Sequence, residues 1–217
     1  MALERSPYKV YEKTFLSSVR WLFSYLAEEK GFVDKLIPTL EGLSYELDGK
    51  ETKAVKMKKP GIVVLANAEL VFVNCAVNVY KGFDALRPEL VSILAALEKL
   101  GVQEIKAINC VKENVFSIDR IKAKSKLTES LIASVLFTET FASNPVFATS
   151  RDGIQAVVTR SYSETVSESV MRLLVAAGWS SELLTTAATD KLQEIDKVSY
   201  DAWSFVVSEG VKKIMEG

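Results

Sequence analysis

The pattern of apolar and polar positions changes its period several times along the chain. A period of two residues is typical of strands and a period of three to four is typical of helices. The clearest period-two run covers residues 69–80, where Val71, Val73, Cys75, Val77 and Val79 alternate with a mixed face. Because successive side chains of a strand point to opposite sides, the run predicts a strand whose first face is buried.

Helical spacing is clearest at residues 84–100, which Gly101 follows. A second helix is predicted from Thr128 to about Phe141. From Ser181 to the C-terminus the spacing again predicts a helix, with another start at Asp190. The buried face of this closing helix is predicted to contain Leu192, Ile195, Ala202 and Val206 with the neighbouring Trp203 and Phe205.

The patterns of two segments are compatible with both a helix and a strand. Residues 14–30 have apolar side chains at helical spacing, but Phe15, Val19, Trp21, Phe23 and Tyr25 also share one period-two face. We interpret this segment as a helix. Residues 159–178 are interpreted as a strand that yields to a helix ending at Gly178, because Ser and Thr precede Glu at capping-box spacing.

Turn chemistry indicates hairpins. Asp48-Gly49 and Asp152-Gly153 each lie between alternating runs, where Asp-Gly supplies the positive φ angles of a tight turn. Residues 104–111 and 114–118 are predicted to be two strands joined near Glu113-Asn114. The order of elements predicts an α+β fold: an antiparallel β-sheet with hairpins, helices packed mainly on one face and a long C-terminal helix. We expect a single domain over residues 1–217, with 1–119 and 120–217 as its sub-halves.

Composition narrows the functional classes. The 217 residues contain 27 Lys and Arg against 28 Asp and Glu, so the whole molecule has no field that attracts nucleic acid or a membrane. The N-terminus has no secretory signal pattern, and no apolar run reads as a membrane span, so we expect a cytoplasmic protein without membrane association. Cys75 and Cys110 lie in apolar strand-like runs and are predicted to be buried thiols.

The chain contains no histidine. This excludes Ser-His-Asp and Cys-His triads and makes most zinc sites improbable. Glycine-rich nucleotide loops and calcium-loop spacing are also missing from the sequence, so we predict no catalytic residues, no cofactor and no metal site. An enzyme would have to use carboxylates, Lys, Tyr or a thiol. Asn74, Asn78 and Tyr80, on the mixed face of the run 69–80, are the residues that best suit a polar pocket, since buried amides need hydrogen-bond partners. The alternative is that they meet a covering helix or solvent.

A basic run at residues 119–127, DRIKAKSKL, places Arg120, Lys122, Lys124 and Lys126 at every second position. If extended, these cations share one face, which suits an anion or a nucleic acid. The same pattern is typical of a solvated edge strand, where lysine prevents aggregation. We favour the solvated edge, because acidic residues flank the run and no aromatic residue accompanies it. A second lysine-rich run at residues 50–59 has the same two interpretations.

Trp203 and Phe205 lie two positions apart on the closing helix and cannot share one narrow face. We therefore predict that one packs inward and the other lies at an interface with a partner.

Two segments resemble a known family. Residues 70–111 and 192–215 are similar to a sporadically distributed bacterial family of uncharacterised α+β proteins. Tyr80 and Phe83 fit its Tyr-x-x-Phe strand end, whereas residues 105–114 lack the arginine pair of its next motif. The resemblance implies an α+β fold and a bacterial or mobile-element origin, and it supplies no activity or catalytic residue.

The sequence as a whole predicts a non-catalytic protein-interaction or assembly component, with a protein partner or self-association. One alternative is an anion- or nucleic-acid-binding module that uses the basic strands. The other is an enzyme with a pocket of carboxylate, Asn and Tyr residues.

Overall fold

The computed structural model of the chain describes residues 15–119, 129–144, 146–164 and 169–215. The strands are β1 (Leu16–Tyr25), β2 (Glu46–Lys50), β3 (Ala54–Lys59), β4 (Ile62–Asn67), β5 (Leu70–Cys75), β6 (Glu104–Ser117), β7 (Val146–Arg151), β8 (Ile154–Glu164), β9 (Ser169–Trp179) and β10 (Leu183–Leu184). The helices in these ranges are α1 (Phe32–Glu41), α2 (Phe83–Lys99), α3 (Glu129–Leu136), α4 (Glu139–Ser143), α5 (Thr185–Val206) and α6 (Glu209–Met215).

The strands form one ten-stranded antiparallel sheet in the order β2-β3-β4-β5-β1-β6-β9-β8-β7, with β10 paired to β6. The chain divides into two compact units. The N-terminal unit consists of Ser18–Cys110 and Gly178–Asp196, and the C-terminal unit consists of the described residues within Met1–Ser17, Val111–Ala177 and Lys197–Gly217. The predicted α+β class and the long closing helix are confirmed.

In the N-terminal unit the strands alternate between a buried and a less buried face. Val19, Trp21, Phe23 and Tyr25 of β1 are buried, and the residues between them are only half-buried. The ring of Trp21 lies 5.7 Å from that of Phe83 in α2, and the ring of Tyr25 lies 5.8 Å from that of Phe32 in α1. Helices therefore cover the buried face of this unit.

In the C-terminal unit β8 alternates in the same way, with Ile154, Ala156 and Val158 buried. The ring of Phe147 in β7 stacks on that of Phe205 in α5 at 4.7 Å. Within the described residues, the predicted buried face of the closing helix is confirmed at Leu192, Ile195, Ala202 and Val206, which are fully buried, and at Trp203, whereas Phe205 is half-buried.

Two helix predictions were wrong. Residues 16–25 form β1, so the period-two face of this segment decided its structure. Residues 169–179 form β9, whose Met171, Leu173, Val175 and Ala177 are buried with period two. In both segments burial against covering helices outweighed the helical spacing and the capping signatures, because tertiary packing overrides local preference.

Two further strands, β6 and β5, also differ from expectation. Residues 104–117 form the single strand β6, with no turn at Glu113-Asn114. Strand β5 ends at Cys75 and residues 76–80 turn back on themselves, with the amide of Tyr80 donating to the carbonyl of Ala76. Val71, Val73 and Cys75 are buried as predicted, whereas Val77 is half-buried and Val79 is 40% exposed.

Of the two predicted Asp-Gly turns, only one exists. Asp152 (φ 52°) and Gly153 (φ 80°) join β7 to β8, both with the positive φ of a tight hairpin turn. Asp48 and Gly49 instead lie inside β2 at a register shift, and β2 connects to β3 through residues 51–53. The charged residues on either side of Gly49 can remain part of β2 because this strand is a solvated edge of the sheet.

Candidate functional site

One sheet face of the N-terminal unit has no helix over it among the described residues, and we call this surface the open face. It consists of Ser18, Arg20, Leu22 and Ser24 of β1, Leu70, Phe72 and Asn74 of β5, Val63, Leu65 and Asn67 of β4, and Ala54, Lys56 and Lys58 of β3. The strand register joins these residues into transverse rows. Leu22 pairs with Phe72, Phe72 with Leu65 and Leu65 with Lys56. A basic side chain therefore ends an apolar row that has an aromatic ring in its middle.

A shallow groove of about 650 Å³ lies on this face. Its apolar floor includes Leu65, Leu70 and Phe72, and its rim includes Lys56 and Asn67. The Asn67 side-chain oxygen accepts hydrogen bonds from the amides of Glu69 and Leu70, so this residue is held in place by the turn after β4. The groove can hold a flat apolar group on its floor beside a negatively charged group at its rim.

Charge on the open face is uneven. Asp48 of β2 forms ion pairs with Lys56 at 2.6 Å and Lys58 at 2.5 Å. Hydrogen bonds from these two lysines lower the pKa of the Asp48 carboxyl to about 2, and the Asp48 carboxylate raises the pKa of Lys58. Glu46 lies opposite Lys58 in the register. Both carboxylates belong to the outermost strand, so the inner strands β1, β4 and β5 carry only the positive charge of Arg20 on this face.

The two outermost strands of the sheet differ in charge and regularity. Strand β2 carries Glu46, Asp48 and Lys50, and its register shifts between Leu47 and Gly49. Charges and bulges are the usual devices that stop an edge strand from pairing with another chain. Strand β7, with the sequence VFATSR, has an unbroken register with β8 and no charge before Arg151.

Apolar groups accompany the outer edge of β7. Val146 is 51% exposed, and Val157 of the neighbouring strand is 40% exposed. On the other side of the sheet Phe147 and the Phe205 ring that stacks on it are half-buried. Arg151, the one charged residue of β7, forms an ion pair with the buried Asp201 at 2.5 Å. The edge is therefore neutral and partly apolar.

The arrangement that comes nearest to catalytic chemistry joins Tyr45, Glu89 and Lys59. The Tyr45 hydroxyl donates to Glu89 Oε1 at 2.7 Å, Lys59 pairs with Glu89 Oε2, and the ammonium lies 4.5 Å from the Tyr45 ring centroid. Burial, and then Glu89, raise the pKa of Tyr45, so its hydroxyl stays protonated. Burial also raises the pKa of the Cys75 thiol. Tyr45, Lys59 and Glu89 therefore form a connected set of contacts in which Lys59 ties β3 to Glu89 of α2.

The predicted site residues have different outcomes. Arg120, Lys122, Lys124 and Lys126 lie outside the described residues. Asn74 lies on the open face, whereas Asn78 and Tyr80 follow the end of β5, so the three do not share a strand face; their pocket stays a prediction. Trp203 is buried and Phe205 is half-buried, and an interface at this pair also stays a prediction. Cys75 and Cys110 are buried and are not joined in a disulfide, as predicted.

Sequence reasoning missed both candidate surfaces. The lysine-rich run at 50–59 contains no aromatic residue. The strand register nevertheless places Phe72 of β5 in the same transverse row as Lys56 of β3, two strands away in the sheet. The exposed edge at β7 depends on strand order, which no local pattern contains. The one local signal was the uncharged run VFATS before a hairpin turn.

Comparison with known proteins adds no family. No family model matches the chain, and no curated protein matches it. Among the described residues, no group of three or more Cys, Asp or Glu side chains could hold a metal ion. In the same part of the chain, no helix combines the length and apolarity needed to cross a bilayer.

Proposed function

We propose that this protein is a non-catalytic assembly component that pairs with a second copy of itself along the outer edge of β7. The observation that carries the proposal is the neutral, regular strand at this end of the sheet, which has no neighbour on its outer side among the described residues. Unpaired N–H and C=O groups of such a strand are a template for another strand.

The hairpin turn identifies the groups that face outward. A two-residue turn makes its flanking residues, Arg151 and Ile154, a hydrogen-bonded pair, and such pairs alternate along an antiparallel ladder. Val146, Ala148 and Ser150 therefore direct their N–H and C=O groups away from β8. Three residues with the same orientation give a partner strand a short but continuous ladder.

A second copy suits this edge because antiparallel pairing of β7 with itself brings no like charges together. Residues 146–150 are uncharged, and Arg151 is held by Asp201. Phe205, a predicted interface residue, would lie beside the paired strands through its contact with Phe147. Since the charged and bulged β2 protects the opposite edge, association by this route ends at a closed two-fold dimer rather than a filament.

The test is the molar mass in solution, measured by size-exclusion chromatography with light scattering. The parent chain is expected at twice its 24.0 kDa mass. Ala148→Pro removes an outward N–H from each copy without removing a bond to β8, so this variant is expected to be a monomer with an unchanged far-UV circular dichroism spectrum. Ala148→Val keeps the N–H and is the matched control, expected to remain a dimer. A monomeric parent at high micromolar concentration, or a dimeric proline variant, contradicts the proposal.

A further inference from the structure

The open face of the N-terminal unit is a second surface, separate in its residues from the β7 edge. Its strands carry apolar side chains in the middle and cations at the sides, namely Arg20 on β1 and the pair Lys56 and Lys58 on β3. An exposed sheet face with Leu65 at 43% exposure would normally be covered in a soluble protein or be used for binding. The chemistry of its rows indicates what it binds.

We infer that the open face binds single-stranded nucleic acid. A base lies flat over Phe72 and Leu65 in the groove, and its phosphates reach the ammonium groups of Lys56 and Lys58. An aromatic ring and a positively charged groove are the two components by which proteins hold single strands without reading sequence. Asn74, half-buried in the row next to Phe72 and paired with Arg20 in the register, offers an amide to a base edge.

Charge and shape decide between this occupant and others. The inner strands present no carboxylate on this face, so an anionic ligand meets repulsion only at the margin, from Glu46 and Asp48 of β2 and from Glu51 at the groove rim. Bases in a duplex are already stacked on each other and cannot lie on Phe72, so a duplex is expected to bind less tightly. A basic helix from a protein partner would meet the like charge of Arg20 on the inner strands.

Replacing Asp48 tests the inference, because binding at the open face and a purely structural role of its ion pairs predict different effects on affinity. The Asp48 carboxylate forms ion pairs with both Lys56 and Lys58. A phosphate must compete with that carboxylate, so Asp48→Asn is expected to free the two ammonium groups and tighten binding several-fold. Loss of a merely structural ion pair would leave binding unchanged or weaken it.

The experiment follows the fluorescence anisotropy of labelled 15-nucleotide oligo(dT) and oligo(U), and of a mixed-sequence duplex of equal length, at several salt concentrations. The full-length parent is expected to prefer the single strands. Three cationic contacts correspond to a log–log salt slope of about −2. Phe72→Leu removes the ring and should weaken binding about tenfold, whereas Phe72→Tyr keeps the ring and should bind like the parent.

Two double variants test the role of charge. Lys56→Gln with Lys58→Gln is expected to weaken binding and flatten the salt slope. Lys35→Gln with Lys99→Gln removes the same charge from helices α1 and α2, where both lysines are exposed, and should bind as the parent does. Circular dichroism confirms that each variant is folded.

Four results would overturn the inference. They are no binding by the parent at low salt, tighter binding of the duplex than of the single strands, parent-like affinity of Phe72→Leu, and no gain in Asp48→Asn. Replacing Arg120, Lys122, Lys124 and Lys126 with Gln is the further control. If that change abolishes binding while Phe72→Leu does not, the basic run is the site and the open face is not.

Discussion

The two units repeat one order of elements but complete it differently. In the N-terminal unit β1 is followed by α1, then by antiparallel strands that include β3, β4 and β5, and then by α2. In the C-terminal unit the second half of β6, from Val111, is followed by α3 and α4, then by β7, β8 and β9, and then by the second half of α5, from Lys197. Strands β3 and β7 therefore hold the same place, but β2 covers β3 while β7 ends the sheet. The comparison teaches that β2 covers one end of the sheet, whereas the outer side of β7 has no neighbouring strand among the described residues.

The likeness extends to single contacts. Lys59 is the last residue of β3 and pairs with Glu89 of α2, and Arg151 is the last residue of β7 and pairs with Asp201 of α5. Each of these strands then enters a two-residue connection to the next strand. Strands β3 and β7 are therefore both fixed to a helix by an ion pair at their last residue, and the main difference is that only β3 has an outer neighbour, β2, among the described residues.

The largest effect is expected from a charge in either core. Val73 of β5 and Val175 of β9 are fully buried at comparable places in the two units. Changing either to Asp buries an unpaired charge, which costs roughly 4 kcal/mol or more and leaves little of a typical total stability. We expect neither variant to yield soluble folded protein. Leu65→Asp and Val157→Asp, at positions 43% and 40% exposed, are the matched controls and should fold.

A smaller and unequal effect is expected from the two ion pairs. Asp201 has only 5% of its side chain exposed and Glu89 has 18%, so loss of the cationic partner is more costly for Asp201. Arg151→Met should lower the free energy of unfolding by roughly 2–3 kcal/mol and Lys59→Met by about 1 kcal/mol, measured by urea titration. Equal losses of unfolding free energy in the two variants would show that the difference in burial does not affect the contribution of the two ion pairs.

Much of the fold was predictable where one period dominates. The helix at 84–100, the buried run from Val71 to Cys75 and the Asp152-Gly153 turn all follow from local pattern. Residues 16–25 and 169–179 were misassigned because their patterns fit both a helix and a strand. Only the burial of one face against helices decides between the two structures. The candidate surfaces depend on register and strand order, which arise from pairing between distant segments, so neither the Phe72–Lys56 row nor the bare β7 edge could be predicted from the sequence.

The smallest effect concerns pH and belongs to the protected edge. Because the pKa of Asp48 is lowered to about 2 in the folded protein, folding favours its ionised form. Its stabilising contribution is present above the pKa of an unfolded aspartate, about 4, and is lost as the pH falls towards 2. We expect the melting temperatures of the parent and Asp48→Asn to converge over this range. The pair is solvent-exposed, so the difference at neutral pH should be small. A difference that stays constant from pH 5 to pH 2 would show that Asp48 acts by other means.

The central claim is that β7 pairs with a second copy while β2 does not, and amide hydrogen exchange of the two edges, followed by NMR, tests it most directly. At a concentration where the dimer predominates, we expect slow exchange for the amides of Val146, Ala148 and Ser150, and faster exchange after dilution to the monomer. The amides of β2 that face away from β3 should exchange quickly at both concentrations. Rapid, concentration-independent exchange at Val146, Ala148 and Ser150 would contradict the account.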